Sequence, residues 1–153
     1  MPDNRPLFDP AISDTVDRRE GDRAALLAKG FPSSVWLTGQ VPSRELRRGR
    51  YTRESMTHPG KMLPAISRYA IRTYTEPGHT VLDPMAGIGT TVIEAMRLGR
   101  HGVGVEYEQR WADLAADNIR LAERDGAPGS GEIYTGDSRT CWPSPAAVCS
   151  VPR

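Results

Sequence analysis

From residue 61 onward, apolar positions follow two rhythms, one with helical spacing and one of short unbroken runs. Met62, Leu63, Ile66, Tyr69, Ala70 and Tyr74 fall on one side of a helix running from Lys61 to about Tyr74, which Pro77 and Gly78 end. Val81 and Leu82 then form a run apolar enough for a buried parallel strand, broken by Asp83, Pro84 and the glycines 87 and 89. A second helix is expected over Thr90–Leu98, capped by Thr90 or Thr91 and stopped by Gly99. The run from Gly102 to Glu106 reads as the next strand. A third helix follows from about Gln109 to Glu123, with Trp111, Leu114, Ala115, Asn118, Ile119 and Ala122 on its inner face. Residues 125–131 read as a loop and Glu132 to Thr135 as a third strand. This alternation predicts an α/β domain built on a parallel sheet. It occupies residues 35–139, after a mobile arm over 1–34 and before an irregular tail over 140–153.

The first strand and the loop behind it carry the chemistry. Gly87 and Gly89 let the backbone approach a bound molecule, and Glu106 stands 17 residues beyond Gly89. That is about where a Rossmann-type unit places the acid that accepts from ribose hydroxyls, which makes this a half-site for an adenosine-containing cofactor. Charge narrows the choice. A dinucleotide fingerprint takes Gly or Ala at its third glycine position, where this chain has Val92. Asp83 would also face a pyrophosphate with like charge, and two unit charges ~4 Å apart repel by roughly 4 kcal/mol at a surface-like dielectric. S-adenosylmethionine carries an ammonium and a sulfonium and no phosphate, so the same carboxylate attracts it. The plainer reading of Asp83 and Pro84 is the start of a turn.

Together with Thr57, His58, Pro59, Gly60, Lys61 and Met62 upstream and Gly136 and Asp137 downstream, this segment resembles the amino-methylating DNA methyltransferases, which act on adenine N6 or cytosine N4. The likeness runs from about Val35 to Arg139. It implies a Rossmann-like S-adenosylmethionine methyltransferase fold, here the first three strands of a doubly wound parallel sheet. It also implies that His58 and Lys61 pack on the methionine moiety. Asp83, Pro84, Ala86, Gly87, Gly89 and Thr90 would cradle the donor, Glu106 would bind ribose and Asp137 would accept from the adenine amino group. Tyr107, by its position directly after the ribose acid, is a candidate to flank the adenine. Met85 and Ile88 depart from the commonest spelling of the loop and leave room for a related RNA methyltransferase.

The chain's 20 Lys plus Arg against 19 Asp plus Glu exert no global pull on nucleic acid, so any such attraction is local. The one basic cluster, Arg44, Arg47, Arg48 and Arg50 with Arg53 nearby, reads either as a phosphate-tracking DNA contact or as a solvated flank. His79 and His101 precede strands at the end of the sheet away from the ligand. No His or Cys spacing implies a metal, and Cys141 and Cys149 read as reduced spectator thiols. No signal sequence or membrane span is seen, and a cytoplasmic protein is expected.

Methylating an exocyclic amine requires the base to be flipped out and both amine protons to be hydrogen-bonded. In the resembled family a Ser/Asp/Asn-Pro-Pro-aromatic tetrapeptide at the end of the fourth strand does this. This sequence contains none, Ser144, Pro145, Ala146 and Ala147 being the nearest spelling. No catalytic residue is therefore assigned. The expectation is a donor-binding portion, truncated or one chain of a split enzyme, with its first strand left as an apolar edge and no activity alone. The alternative is a non-catalytic DNA- or partner-binding module that kept the fold.

Overall fold

The computed structural model describes Trp36, Thr38 and residues 41–140. The arm expected over 1–34, nearly all of the tail and both cysteines lie outside them. The order is α1 (Ser43–Arg47), a 3-10 turn (Arg53–Thr57), α2 (Pro64–Tyr74), β1 (Thr80–Asp83), α3 (Thr90–Arg97), β2 (His101–Glu106), α4 (Gln109–Arg124) and β3 (Ser130–Thr135). The three strands are parallel in the order β1-β2-β3, with Asp83 level with Gly104 and Glu106 level with Thr135. No helix among the described residues is long and apolar enough to cross a membrane.

Both crossover helices lie on one face of this sheet. Val92, Ile93 and Met96 of α3 join Ile119 and Ala122 of α4 and Tyr51 in a single core, with Ile133 of β3 packed against it. The glycines of β2 and β3 make this approach possible. A Cβ on Gly102 would stand 2.8 Å from the Val92 carbonyl oxygen, and one on Gly104 would stand 2.7 Å from Ile133 Cδ1. Burying α3 directly on strand backbone excludes water from a large apolar area with few side chains. Among the described residues β1 is an edge strand, as expected, and Leu82 is 42% exposed.

Two expectations for the first helix need correction. It starts at Pro64 and not at Lys61, because a proline fits the first helical turn, where its missing N–H costs nothing. Its buried residues are Pro64, Ser67, Tyr69 and Ile71, whereas Met62, Ile66 and Tyr74 are exposed. The face is rotated because α2 packs on α3 and on α1, and Trp36 covers Tyr69 at 4.7 Å between ring centroids.

The cap of α3 also differs. Gly89, in the left-handed region at φ 78°, is the N-cap and makes no side-chain bond, while Thr90 is already helical and its hydroxyl accepts from Arg47. Only a residue without Cβ takes that backbone conformation at little cost.

Candidate functional site

The carboxyl ends of the three strands bring Asp83, Glu106 and, just past β3, Asp137 to one rim of the sheet. This is where ligands sit in open parallel α/β sheets. The loop between β1 and α3 turns through two left-handed glycines, Gly87 at φ 54° and Gly89 at φ 78°. Asp83 Oδ1 accepts the Met85 N–H at 3.1 Å, so the turn-starting role foreseen for it is real. Its other carboxylate oxygen has no hydrogen-bond or ion-pair partner among the described residues, and the residue is half-buried.

Glu106 holds the loop. Its Oε2 accepts the Gly87 N–H at 2.8 Å and its Oε1 accepts the Glu108 N–H at 2.8 Å. Each oxygen keeps a second lone pair that can take a hydroxyl. The Ala86 N–H donates to the Val105 carbonyl at 2.9 Å, which stitches the loop to β2 a second time. The first N–H groups of α3, which starts at the end of this loop, lack intrahelical partners.

The segment from the 3-10 turn closes over the loop. His58 caps that turn, and its Nε2 lies 3.3 Å from where a Gly87 Cβ would be. Its ring meets Trp111 of α4 edge-on, with centroids 4.4 Å apart. Nδ1 accepts the Gly60 N–H at 3.1 Å, which leaves the proton of the neutral ring on Nε2, toward the loop. Burial, the largest influence, pushes the imidazole pKa below its ordinary value. Lys61 turns its ammonium back onto the carbonyls of Met56 (3.0 Å) and His58, so it ties down the segment that presents His58.

Gly89 approaches protein on its Cα side, since a Cβ there would stand 3.2 Å from Ala115 Cβ. Pro84 and Tyr107 are exposed at the rim, and Ala86 is buried beneath it. Asp137 is bound by Arg139, whose Nε donates to both carboxylate oxygens at 3.0 Å. These hydrogen bonds hold its pKa at about 2. His79 and His101 lie at the opposite, amino end of the strands, where His101 Nδ1 meets Ser130 Oγ at 2.8 Å.

The expected patch of four arginines does not exist as such. Arg47 is 2% exposed, lies over the Tyr51 ring at 4.6 Å, and donates to Thr90 Oγ1 at 3.1 Å and to the Met62 carbonyl. Arg50 donates to both oxygens of Glu94 at 3.2 and 3.0 Å. Glu94 is fully buried and also takes Arg68 Nε at 3.1 Å and the Tyr51 hydroxyl at 3.0 Å. A buried carboxylate needs such partners, and it draws the arginines inward. Arg44 and Arg48 remain exposed and, with Arg53, line a groove of about 880 Å³.

Sequence reasoning missed Glu94 and the role of Asn118. The signal for Glu94 was a lone carboxylate among Val92, Ile93, Ala95 and Met96. For Asn118 it was an amide on the inner face of an otherwise apolar helix.

The DNA methylase family model, N6_N4_Mtase, matches residues 11–117. The Type II methyltransferase M.ScaI of Streptomyces caespitosus is 30% identical over 88 residues, 58% of this chain and 28% of that protein. M.HinfI of Haemophilus influenzae, another Type II methyltransferase, is 42% identical over 87 residues, 57% of this chain and 24% of that one. The chain therefore spans about a quarter of the length of these curated relatives. A solved Thermus thermophilus protein, provisionally described as a DNA modification methylase and complexed with S-adenosyl-L-methionine, is 33% identical. That alignment covers 63% of this chain and 44% of the other, with a TM-score of 0.41.

Proposed function

The chain belongs to the DNA methylase family, and on that premise we propose that residues 35–139 are the S-adenosylmethionine-binding part of a methyltransferase that acts on an exocyclic amine of a DNA base, cytosine N4 or adenine N6. The observation that carries this is the pairing of Glu106 with the Gly87 N–H beside the unpartnered oxygen of Asp83, all at the carboxyl rim of the sheet. The donor set fits a cation bearing a ribose. It has a carboxylate free on one side, a second with spare lone pairs, and no Lys or Arg of the loop to meet a pyrophosphate.

In this reading Asp83 faces the methionine end of the donor, with Pro84, Ala86, Gly87, Gly89 and Thr90 forming the cradle. Glu106 takes the ribose hydroxyls, Tyr107 flanks the adenine, and Asp137 accepts from its amino group. His58 closes over the loop and Lys61 braces it. The donor, when bound, supplies an electrophilic methyl group. No Ser/Asp/Asn-Pro-Pro-aromatic tetrapeptide occurs in the sequence, and no residue of this chain is assigned the role of holding the target amine. Arg44, Arg48 and Arg53 are the DNA-facing cations, and they anchor the duplex without reading sequence.

Titration calorimetry with S-adenosylmethionine tests this. The chain is expected to bind, with Asp83→Ala and Glu106→Ala each weakening it by about tenfold or more. Tighter binding of a phosphorylated dinucleotide, or no heat from either ligand, would overturn the donor assignment. Robust DNA methylation by the purified chain would show that it holds the target amine without a Pro-Pro-aromatic motif.

A further inference from the structure

We propose that Asn118, with Ser55, is the positioning residue that sets the shape of the donor loop. Neither touches the rim. Asn118 lies on the buried face of α4, fully enclosed, and its amide bonds three residues in two separate segments, the donor loop and the 3-10 turn. Nδ2 donates to the Ile88 carbonyl at 2.9 Å, between the two left-handed glycines. It also donates to Ser55 Oγ at 2.8 Å, and Oδ1 accepts the Thr52 N–H at 2.8 Å.

The amide can sit only one way round. Ile88 offers an oxygen and Thr52 a hydrogen, so a flip would oppose like groups on both sides. The result is a fixed strut between the loop and the 3-10 turn that presents His58. α4 supports the loop at one further point, through Ala115 under Gly89, and steadies the segment over it through Trp111 against His58. Glu106 fixes the Gly87 N–H from the strand side, while Asn118 fixes the next carbonyl from the helix side. The loop thus receives a donor already shaped, which lowers the ordering cost of binding. An apolar residue at 118 would fill the volume and leave the buried Ile88 carbonyl and the part-buried Thr52 N–H without this partner.

The inference rests on the donor-binding reading, and its test separates the two. Backbone amide exchange over residues 84–89 is measured without any donor in wild type, Asn118→Asp and Ser55→Ala, alongside S-adenosylmethionine affinity. Asn118→Asp keeps the shape but turns a carboxylate oxygen toward the Ile88 carbonyl. Exchange at Gly87 and Gly89 is expected to quicken about tenfold or more, while Gly104 and Val105 in β2 shift no more than the overall loss of stability requires. Donor affinity should fall by a similar factor. Lowering the pH enough to protonate the new carboxyl restores one donor to Ile88 and should recover both readouts relative to wild type.

Ser55→Ala, which preserves the fold more gently, should loosen the same peptide to a smaller degree. Uniform quickening across loop and strand, a loop as protected as in wild type, or no recovery at low pH would overturn the role. Should wild type fail to bind the donor, the functional reading falls, yet the contrast in exchange between loop and strand still decides what Asn118 does.

Discussion

The Glu106 carboxylate accepts the Gly87 N–H at 2.8 Å, joining the end of the second strand to the loop that follows the first. Its other oxygen takes the Glu108 N–H, so both sides of this carboxylate face backbone donors. Glutamine cannot reproduce that, because its amide nitrogen would confront one of the two N–H groups. Glu106→Gln should therefore weaken S-adenosylmethionine by about tenfold and lower stability by ~1–3 kcal/mol. Calorimetry and urea unfolding measure the two effects, and an unchanged affinity would deny Glu106 its place at the sugar.

Glu94 is the hub of the interior. Glu94→Leu strands Arg50, Arg68 and the Tyr51 hydroxyl, and a drop of about 3–5 kcal/mol in unfolding free energy is expected. Tyr51 adds a pH signature. Burial first, and then the Glu94 charge, raise its phenol well above the ordinary value. Below about pH 10 both states are protonated and the difference is silent; above it the unfolded chain ionises and the folded one resists. Stability should decline on that alkaline limb, and Tyr51→Phe should flatten the decline while costing ~1 kcal/mol at neutral pH. An alkaline limb identical in both proteins would contradict this.

His58 marks the acid side. Its folded pKa is lowered, chiefly by burial, so its contribution is complete above the ordinary value of about 6.5 and is lost as pH falls through the folded one. Protonation also ends acceptance of the Gly60 N–H at Nδ1. Subtracting the unfolding free energies of His58→Asn from those of wild type between pH 7.5 and 5 should leave a slope downward toward acid. A flat difference would place the ring in water.

The basic groove predicts a salt response. Replacing Arg44, Arg48 and Arg53 together with alanine should reduce the slope of log affinity for duplex DNA against log salt, by up to about 0.9 for each phosphate that is no longer neutralised. Replacing Arg47 should instead unfold or loosen the chain, since its guanidinium is committed to Thr90 and Met62. Fluorescence anisotropy across a salt series, read beside thermal melts, distinguishes these outcomes.

Several of these features are local, and local features can be read from a string of residues. The strand–helix alternation, the left-handed glycines at 87 and 89 and the stops at Pro77 and Gly99 depend on neighbours a few positions away, so spacing located the three parallel strands and the acids at 83 and 106, while Asp137 was singled out by the family resemblance. Which face of α2 is buried, and that Arg47 and Arg50 turn inward, depended on partners elsewhere in the chain: Glu94 lies 44 positions from Arg50. The glycines at 102 and 104 sit between these cases. Their position in a strand was plain, but their necessity came only from Val92 and Ile133 packing where a Cβ would go. Sequence by itself determined the strands and helices from residue 64 onward and their order, because backbone conformation and apolar rhythm act over one or two turns, but it determined neither α1 nor the 3-10 turn. Only the tertiary structure decided which charged groups are buried and what braces the loop, because desolvating a charge is tolerable only where distant partners converge on it.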